Sequence, residues 1–195
     1  MYFLYRGVLF HENQFQDRLL VEGALMIALA TVLSYIKVFE LPQGGSITLE
    51  MIPLVLMGLR NGTKWGCFTG FVHGVLQMMM GFENVLYCAT LPAQIGCILL
   101  DYLLAFTVLG LAPLAAERFA NKTAGVAVGA AMCGLLRFVC SFLSGWLLWG
   151  SWAPEGMSAP LYSLVYNGSY MLPNTILMVV VCLLLYKAAP KLFQK

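Results

Sequence analysis

Three ionisable side chains stand in otherwise apolar stretches: Glu50, Asp101 and Arg137. A charge at the centre of a membrane-spanning helix costs about 2.5–3.5 kcal/mol on insertion scales, so such groups face a cavity or pair with one another. Glu50 falls near the edge of its stretch, where the cost is small. Asp101 and Arg137 fall deeper. Their types allow two readings: a structural Asp101–Arg137 salt bridge, or a ligand site lined by both. Aromatic residues gather nearby. Trp146, Trp149 and Trp152 follow Arg137, Tyr162 and Tyr166 lead to Asn167, and Tyr102 adjoins Asp101. A belt of Trp and Tyr at the membrane surface accounts for some of them, but it does not call for Asn167, nor for a tyrosine beside Asp101. Aromatic faces attract cations by about 0.5–2 kcal/mol. A carboxylate adds charge complementarity, and a carboxamide can both donate to and accept from a heterocycle edge. Together these groups suit a flat, cationic, nitrogen-rich molecule.

Other chemistries find little support. There is no GxxxxGK[ST] phosphate loop and no GxSxG elbow, so the chain does not hydrolyse a nucleotide by itself. Any pumping draws on a partner or an ion gradient. The six cysteines form no CxxC pair and mostly lie in apolar stretches, where they act as small packing residues. His11 and His73 are far apart and have no ligand-like neighbours, so neither a metal nor another cofactor is expected. The N-x-[ST] matches at Asn61, Asn121 and Asn167 fall in inner loops or a span and read as chance.

The elements that position these residues follow from composition. Of 195 residues, 61% are hydrophobic and 10% charged, with a mean hydropathy of +0.82. Soluble chains carry about 25% charged residues, so a water-soluble globule is excluded, and so is disorder. A net charge of +2 gives no reason to expect nucleic acid as a partner. The expected fold class is all-α, a polytopic membrane protein in the lipid bilayer. A span needs roughly 17–25 apolar residues. Five stretches qualify: about 19–36, 62–80, 92–115, 123–149 and 161–187. A sixth, about 46–59, is short and carries Pro53; it reads as a tilted or kinked span. Residues 1–18 lack a signal-peptide cleavage pattern and read as a cytoplasmic or interfacial arm. Residues 19–195 then form one six-helix membrane domain.

Charge placement favours six transmembrane helices with N- and C-termini cytoplasmic. The inner segments then hold Arg6, Arg18, Arg60, Lys64, Arg118, Lys122, Lys187, Lys191 and Lys195, against Lys37 alone outside and Arg137 within a span. That is the positive-inside bias, and a five-span arrangement loses it. Two stripes of small residues complete the pattern. Gly62, Gly66, Gly70 and Gly74 recur every four residues, and Ala24 and Ala28 form a second pair beside Gly23. Such faces let backbones approach closely, either within the chain or against another subunit.

At these residues the sequence resembles the thiamine-specific substrate-binding (S) components of energy-coupling factor transporters, the ThiT/YuaJ family, from about Leu19 to Phe193. Four stretches carry the likeness. They are Leu41–Ser46 with Met51–Leu54, Leu59–Gly62 leading into the glycine stripe, Leu99–Tyr102, and Leu135–Gly145 continued through Gly150–Gly156 to Tyr162–Asn167. The resemblance implies a bacterial plasma-membrane protein with six helices and a vitamin pocket near the outer face. It also implies association with a membrane coupling (T) subunit and two cytosolic ATPase subunits. It makes Ala24 and Ala28 the docking face for the coupling subunit. Asp101 matches the acidic position of the thiamine site, Tyr102 follows it, and Arg137 matches a basic position. Gly145 matches a glycine that lets the ligand lie close. Trp149 falls at a stacking position, and Tyr162 and Asn167 match a tyrosine and an asparagine of the sixth helix. Ser141 stands where the family commonly has His, and Ser46 where some members have Trp.

The resulting expectation is a non-enzymatic component that captures thiamine outside while partner ATPases drive its release inside. A ligand that is a thiamine precursor or a related heterocycle is the nearest alternative. A membrane-embedded enzyme using Asp101 and Arg137 lacks a nucleophile–base pair, and a self-contained ion-coupled carrier lacks an inverted repeat.

Overall fold

The computed structural model describes residues 2–41 and 45–194, with side chains from residue 16 onward. Pro42, Gln43 and Gly44 of the Leu41–Ser46 stretch lie outside the described residues, as do the side chains of Arg6 and His11 and the whole of Lys195.

Helix α1 runs Tyr2–Tyr35, so from Tyr2 onward the stretch expected as a cytoplasmic or interfacial arm is helical and continuous with the first span. A short antiparallel hairpin follows, β1 (Phe39–Glu40) with β2 (Ser46–Ile47), pairing Phe39 with Ile47 and Glu40 with Ser46. Helices α2 (Met51–Asn61) and α3 (Thr63–Met80) are joined at Gly62. Its φ of 90° and ψ of 168° lie in a region essentially reserved for glycine. Then come α4 (Phe82–Leu86) and a rod from Leu91 to Ala116. This rod is built of α5 (Leu91–Cys97), a π-helical turn (Ile98–Leu103), α6 (Leu104–Thr107), a 3-10 turn (Val108–Leu111) and α7 (Ala112–Ala116). Helices α8 (Lys122–Leu147) and α9 (Ala159–Ala188) complete the bundle. The Asn121 carboxamide caps α8 by accepting from the amides of Thr123 and Ala124.

Among the described residues, four segments are long and apolar enough to cross a membrane: Gln16–Tyr35, Leu91–Ala116, Lys122–Leu147 and Ala159–Ala188. The 46–59 stretch becomes the hairpin's second strand and α2. At 11 residues, α2 rises about 16 Å, roughly half a hydrocarbon core. Most of α2 is nonetheless buried, from Met51 to Gly58, because α1, α3, the Leu91–Ala116 rod and α9 enclose it. Outward faces of the long helices carry exposed Leu25, Leu29, Leu135, Leu172, Ile176 and Leu184, as helices surrounded by lipid do.

The glycine stripe is an internal seam. A Cβ on Gly66 would lie 2.5 Å from Gly58 Cα and 2.9 Å from Gly110 Cα; one on Gly74 would lie 2.7 Å from the Tyr102 carbonyl oxygen. The stripe therefore presses α3 against the Leu91–Ala116 rod. Of the two readings open for the stripe, packing within the chain is the one the contacts support. At one end of the bundle Arg60 joins three elements. Its guanidinium pairs with Glu22 of α1 and donates to the carbonyls of Lys191 and Leu192 beyond α9.

Candidate ligand-binding site

The π-helical turn at Ile98–Leu103 carries Asp101 and Tyr102. Such turns widen a helix locally and concentrate at functional positions. Here it sends the two side chains to different partners. Asp101 faces α8, and its Oδ2 accepts from Ser144 Oγ at 2.7 Å and Trp149 Nε1 at 3.3 Å. Tyr102 donates to the Gly81 carbonyl at 2.9 Å and accepts from Asn84 Nδ2 at 3.3 Å, bracing the start of α4. Both still belong to one neighbourhood, because Trp149 packs on the cluster of Val85, Cys88, Cys97 and Tyr102.

Helix α8 sets the register. Arg137, Ser141, Ser144 and Gly145 recur at spacings of four, three and one, so they share a face. Ser144 reaches back to Asp101, while Gly145 touches α9. A Cβ there would meet Ser163 Oγ and come within 2.7 Å of Asn167 Nδ2. On α9, the Asn167 carboxamide donates to Ser163 O at 3.0 Å and Ser163 Oγ at 3.1 Å, and its oxygen accepts from Tyr170 Oη at 2.7 Å. Ser163 Oγ donates to the Phe142 carbonyl at 2.6 Å. Ser141 lies beside the Tyr170 hydroxyl, which is within electrostatic reach of both Arg137 and Asp101. Tyr162, Tyr166 and Tyr170 form a ladder with ring centroids 5.7 and 6.1 Å apart. The fold thus gathers Asp101, Ser141, Gly145, Trp149 and Asn167 around one stretch of α8, with Tyr162 on the same ladder. Trp146 and Trp152 are exposed.

The Asp101–Arg137 salt bridge is not formed. Arg137 Nη2 instead pairs with Glu50 Oε1 at 2.7 Å, and its guanidinium carbon stands 4.2 Å from the centroid of the Phe106 ring. The reason is axial. Arg137 precedes Ser144, the partner of Asp101, by seven residues, about 10 Å along a helix. Glu50, at the start of α2, lies opposite Arg137 and is largely shielded, with a side chain 13% exposed.

Several contributors escaped the sequence reading: Ser144, Ser163, Tyr170, Asn174, His73 and Gln77. The i, i+4 repeat Tyr162-Tyr166-Tyr170 was a usable signal for one of them. Small hydroxyls in apolar helices otherwise look like packing residues.

Asn174 pins the hairpin to α9. Its Nδ2 donates to the Ser46 carbonyl at 2.7 Å and its Oδ1 accepts from the Thr48 amide at 2.9 Å, so the side chain mimics a neighbouring strand. Gly45 closes the other end, its amide donating to Tyr166 Oη at 3.4 Å. Asn174→Ala removes both bonds of the pin. At about 0.5–1.5 kcal/mol each, the Thr48 amide should exchange with deuterium roughly tenfold faster or more, as read by hydrogen-exchange mass spectrometry.

Among the described residues, no three His, Cys, Asp or Glu side chains cluster closely enough to hold a metal. A groove of about 210 Å³ runs between α1 and α3, lined by Leu20, Gly23, Ala24, Ile27, Trp65 and Phe68. It is apolar and separate from the Asp101 cluster. Ala24 and Ala28 are exposed on α1.

The sequence profile of the family described as "Thiamine transporter protein (Thia_YuaJ)" matches residues 20–194. The chain is 37% identical to "Thiamine transporter ThiT" of Bacillus subtilis over 186 residues, covering 90% of this chain and 93% of that one. It is 31% identical to the protein of the same name from Lacticaseibacillus paracasei, covering 89% of each. The fold matches a solved structure of ThiT from Listeria monocytogenes with a TM-score of 0.76 at 28% identity, over 92% of this chain and 99% of the other.

Proposed function

We propose that this chain, which belongs to the Thia_YuaJ thiamine transporter family, captures thiamine in the bacterial plasma membrane and delivers it to ATP-driven partner subunits. The single observation that carries the reading is the junction of α8 with its two neighbours. The Asp101 carboxylate is held there by Ser144 and Trp149, next to the Asn167–Tyr170 pair on α9. Thiamine is a cationic thiazolium joined to an aminopyrimidine. A carboxylate between indole and phenol rings answers the cation, and a carboxamide answers the aminopyrimidine edge. Capture requires these groups to exchange their bonds to one another for bonds to the vitamin.

In this reading the chain performs no chemistry. Asp101, Tyr102, Arg137, Ser141, Gly145, Trp149, Tyr162 and Asn167 surround an outward-facing pocket in a six-helix domain whose two termini are cytoplasmic. The exposed Ala24 and Ala28 dock a membrane coupling subunit that carries two ATPases. One observation favours a second ligand. Ser141, beside Tyr170, offers a hydroxyl where relatives commonly offer an imidazole, and so leaves room for a differently substituted pyrimidine, a thiamine precursor. Mass spectrometry of small molecules retained through mild detergent purification separates the two. Thiamine at about one molecule per chain is the expected result. A pyrimidine alone moves the assignment to the precursor. Absence of both, together with a flat thiamine titration, overturns the proposal. Co-purification of ATPase subunits tests the partner half independently.

A further inference from the structure

A second polar system lies inside the bundle, on the far side of Arg137 from the Asp101 cluster. It begins on α1. Thr31 Oγ1 donates to the Ile27 carbonyl at 2.8 Å, which commits its only proton. The same oxygen lies 3.4 Å from His73 Nδ1; with its proton engaged at Ile27 it accepts there, which assigns the His73 proton to Nδ1. His73 Nε2 is then an acceptor, and it faces Gln77 Nε2 at 3.4 Å. An amide nitrogen only donates, so this direction agrees with the first. The second proton of that nitrogen is directed at Glu50 Oε2, also at 3.4 Å. Glu50 Oε1 finally holds Arg137 Nη2. The hydrogen bonds that link α1 to α8 are thereby assigned one consistent set of directions, with a single tautomer of a neutral imidazole.

Packing reinforces the chain of bonds. His73 is fully buried, at 0% exposure. Its ring meets Phe106 edge-on, with centroids 4.8 Å apart at 80°, and Phe106 in turn carries the Arg137 guanidinium on its face. Among the described residues Arg137 Nη1 is buried without a hydrogen-bond partner, so the placement of this cation rests on Glu50 and Phe106. An imidazole at this depth is not needed to fill space, since a phenyl ring of similar size would do so without polar atoms to satisfy.

We infer that His73 is a positioning residue: the relay Thr31–His73–Gln77–Glu50 fixes Arg137 from α1, so that the seating of α1 on α3 sets the shape of the ligand site. This rests on the reading of that site as a thiamine pocket. It adds to that reading a route by which α1 influences affinity. Shared networks of this kind betray themselves by non-additivity.

The test is a double-mutant cycle on the full chain in detergent, with thiamine titrated calorimetrically. Thr31→Val is isosteric and removes only the hydroxyl. It should raise the thiamine Kd about threefold, as should His73→Phe by about tenfold, the range of one to two hydrogen bonds. His73→Gln, which retains a donor and an acceptor, should recover most of the loss. Once His73 is Phe, adding Thr31→Val should change nothing further, because the relay is already cut. An unaltered Kd in Thr31→Val, or effects that multiply in the double variant, overturns the inference. Should His73→Phe fail to fold, the comparison of Thr31→Val alone with Thr31→Val in the His73→Gln background keeps the test decisive. The same cycle run on thermal unfolding without thiamine separates the two proposals. Non-additive Tm shifts uphold the relay even if thiamine does not bind, and additive ones sink it even if thiamine binds well.

Discussion

Asp101→Ala is expected to weaken thiamine binding by at least tenfold. The carboxylate bonds Ser144 and Trp149, and the nearby Glu50 carboxylate is committed to Arg137, so no neighbour replaces its charge. Hydrogen bonds to charged groups contribute roughly 1.5–3 kcal/mol, which corresponds to about 10- to 150-fold in affinity. The truncation also leaves Ser144 Oγ and Trp149 Nε1 without the acceptor they share, so both side chains become free to turn and the ligand's aromatic wall loses its fixed orientation. Asp101→Asn separates these effects. It keeps an acceptor oxygen for Ser144 and Trp149 but removes the charge. If charge complementarity dominates, Asn and Ala should lose affinity alike; if orientation dominates, Asn should stay close to the parent. Isothermal titration of thiamine into the purified variants decides. Unchanged affinity in both takes Asp101 out of the site.

Much of this was legible before any coordinates, and the limits have physical causes. Asp101 and Asn167 stand out because polar residues in an apolar background carry an energetic penalty that demands a reason, Trp149 stands out as one of the aromatics gathered beside them, and Gly145 is visible only through the family resemblance. The same logic weighed only Asp101 as an ionic partner for Arg137. It treated depth as a sequence quantity and Glu50 as an interface residue, whereas the burial of short α2 by its neighbours takes Glu50 inside. Hydrophobic runs locate the ends of the long helices within a few residues, except that α1 starts at Tyr2, well before the apolar run that begins near residue 19. They could not reveal that the Leu91–Ala116 rod is broken into α, π and 3-10 turns. That choice is made by tertiary contacts, because local sequence tolerates all three. His73 was set aside for want of ligand-like neighbours in sequence; its neighbours, Thr31 and Glu50, come from other helices.

The glycine stripe leads to the prediction with the largest structural effect: Gly110→Val should abolish recovery of folded protein. Three backbones meet here. Gly58 of α2, Gly66 of α3 and Gly110 of the 3-10 turn abut so closely that a Cβ on Gly58 would lie 3.0 Å from the Gly110 carbonyl oxygen. A Cβ on Gly110 would fall far inside van der Waals contact distance of Cys67 N and Gly66 C. Overpacking against side chains typically costs about 1–3 kcal/mol because rotamers adjust. Backbone atoms inside helices cannot turn away, so relief requires α3 to separate from the rod that carries Asp101. Gly110→Ala should already lower the thermal transition markedly, and valine should leave no monodisperse peak on size-exclusion chromatography. Gly168→Ala is the matched control. Nothing lies within 4 Å of its Cβ position, and replacing a mid-helix glycine with alanine is worth about 0.5–1 kcal/mol of stabilisation. A Gly110→Val chain that elutes and melts like the parent would mean that α3 and the rod do not meet at this seam. The placement of Asp101 against α8 depends on that same rod, so it would then lose its support as well.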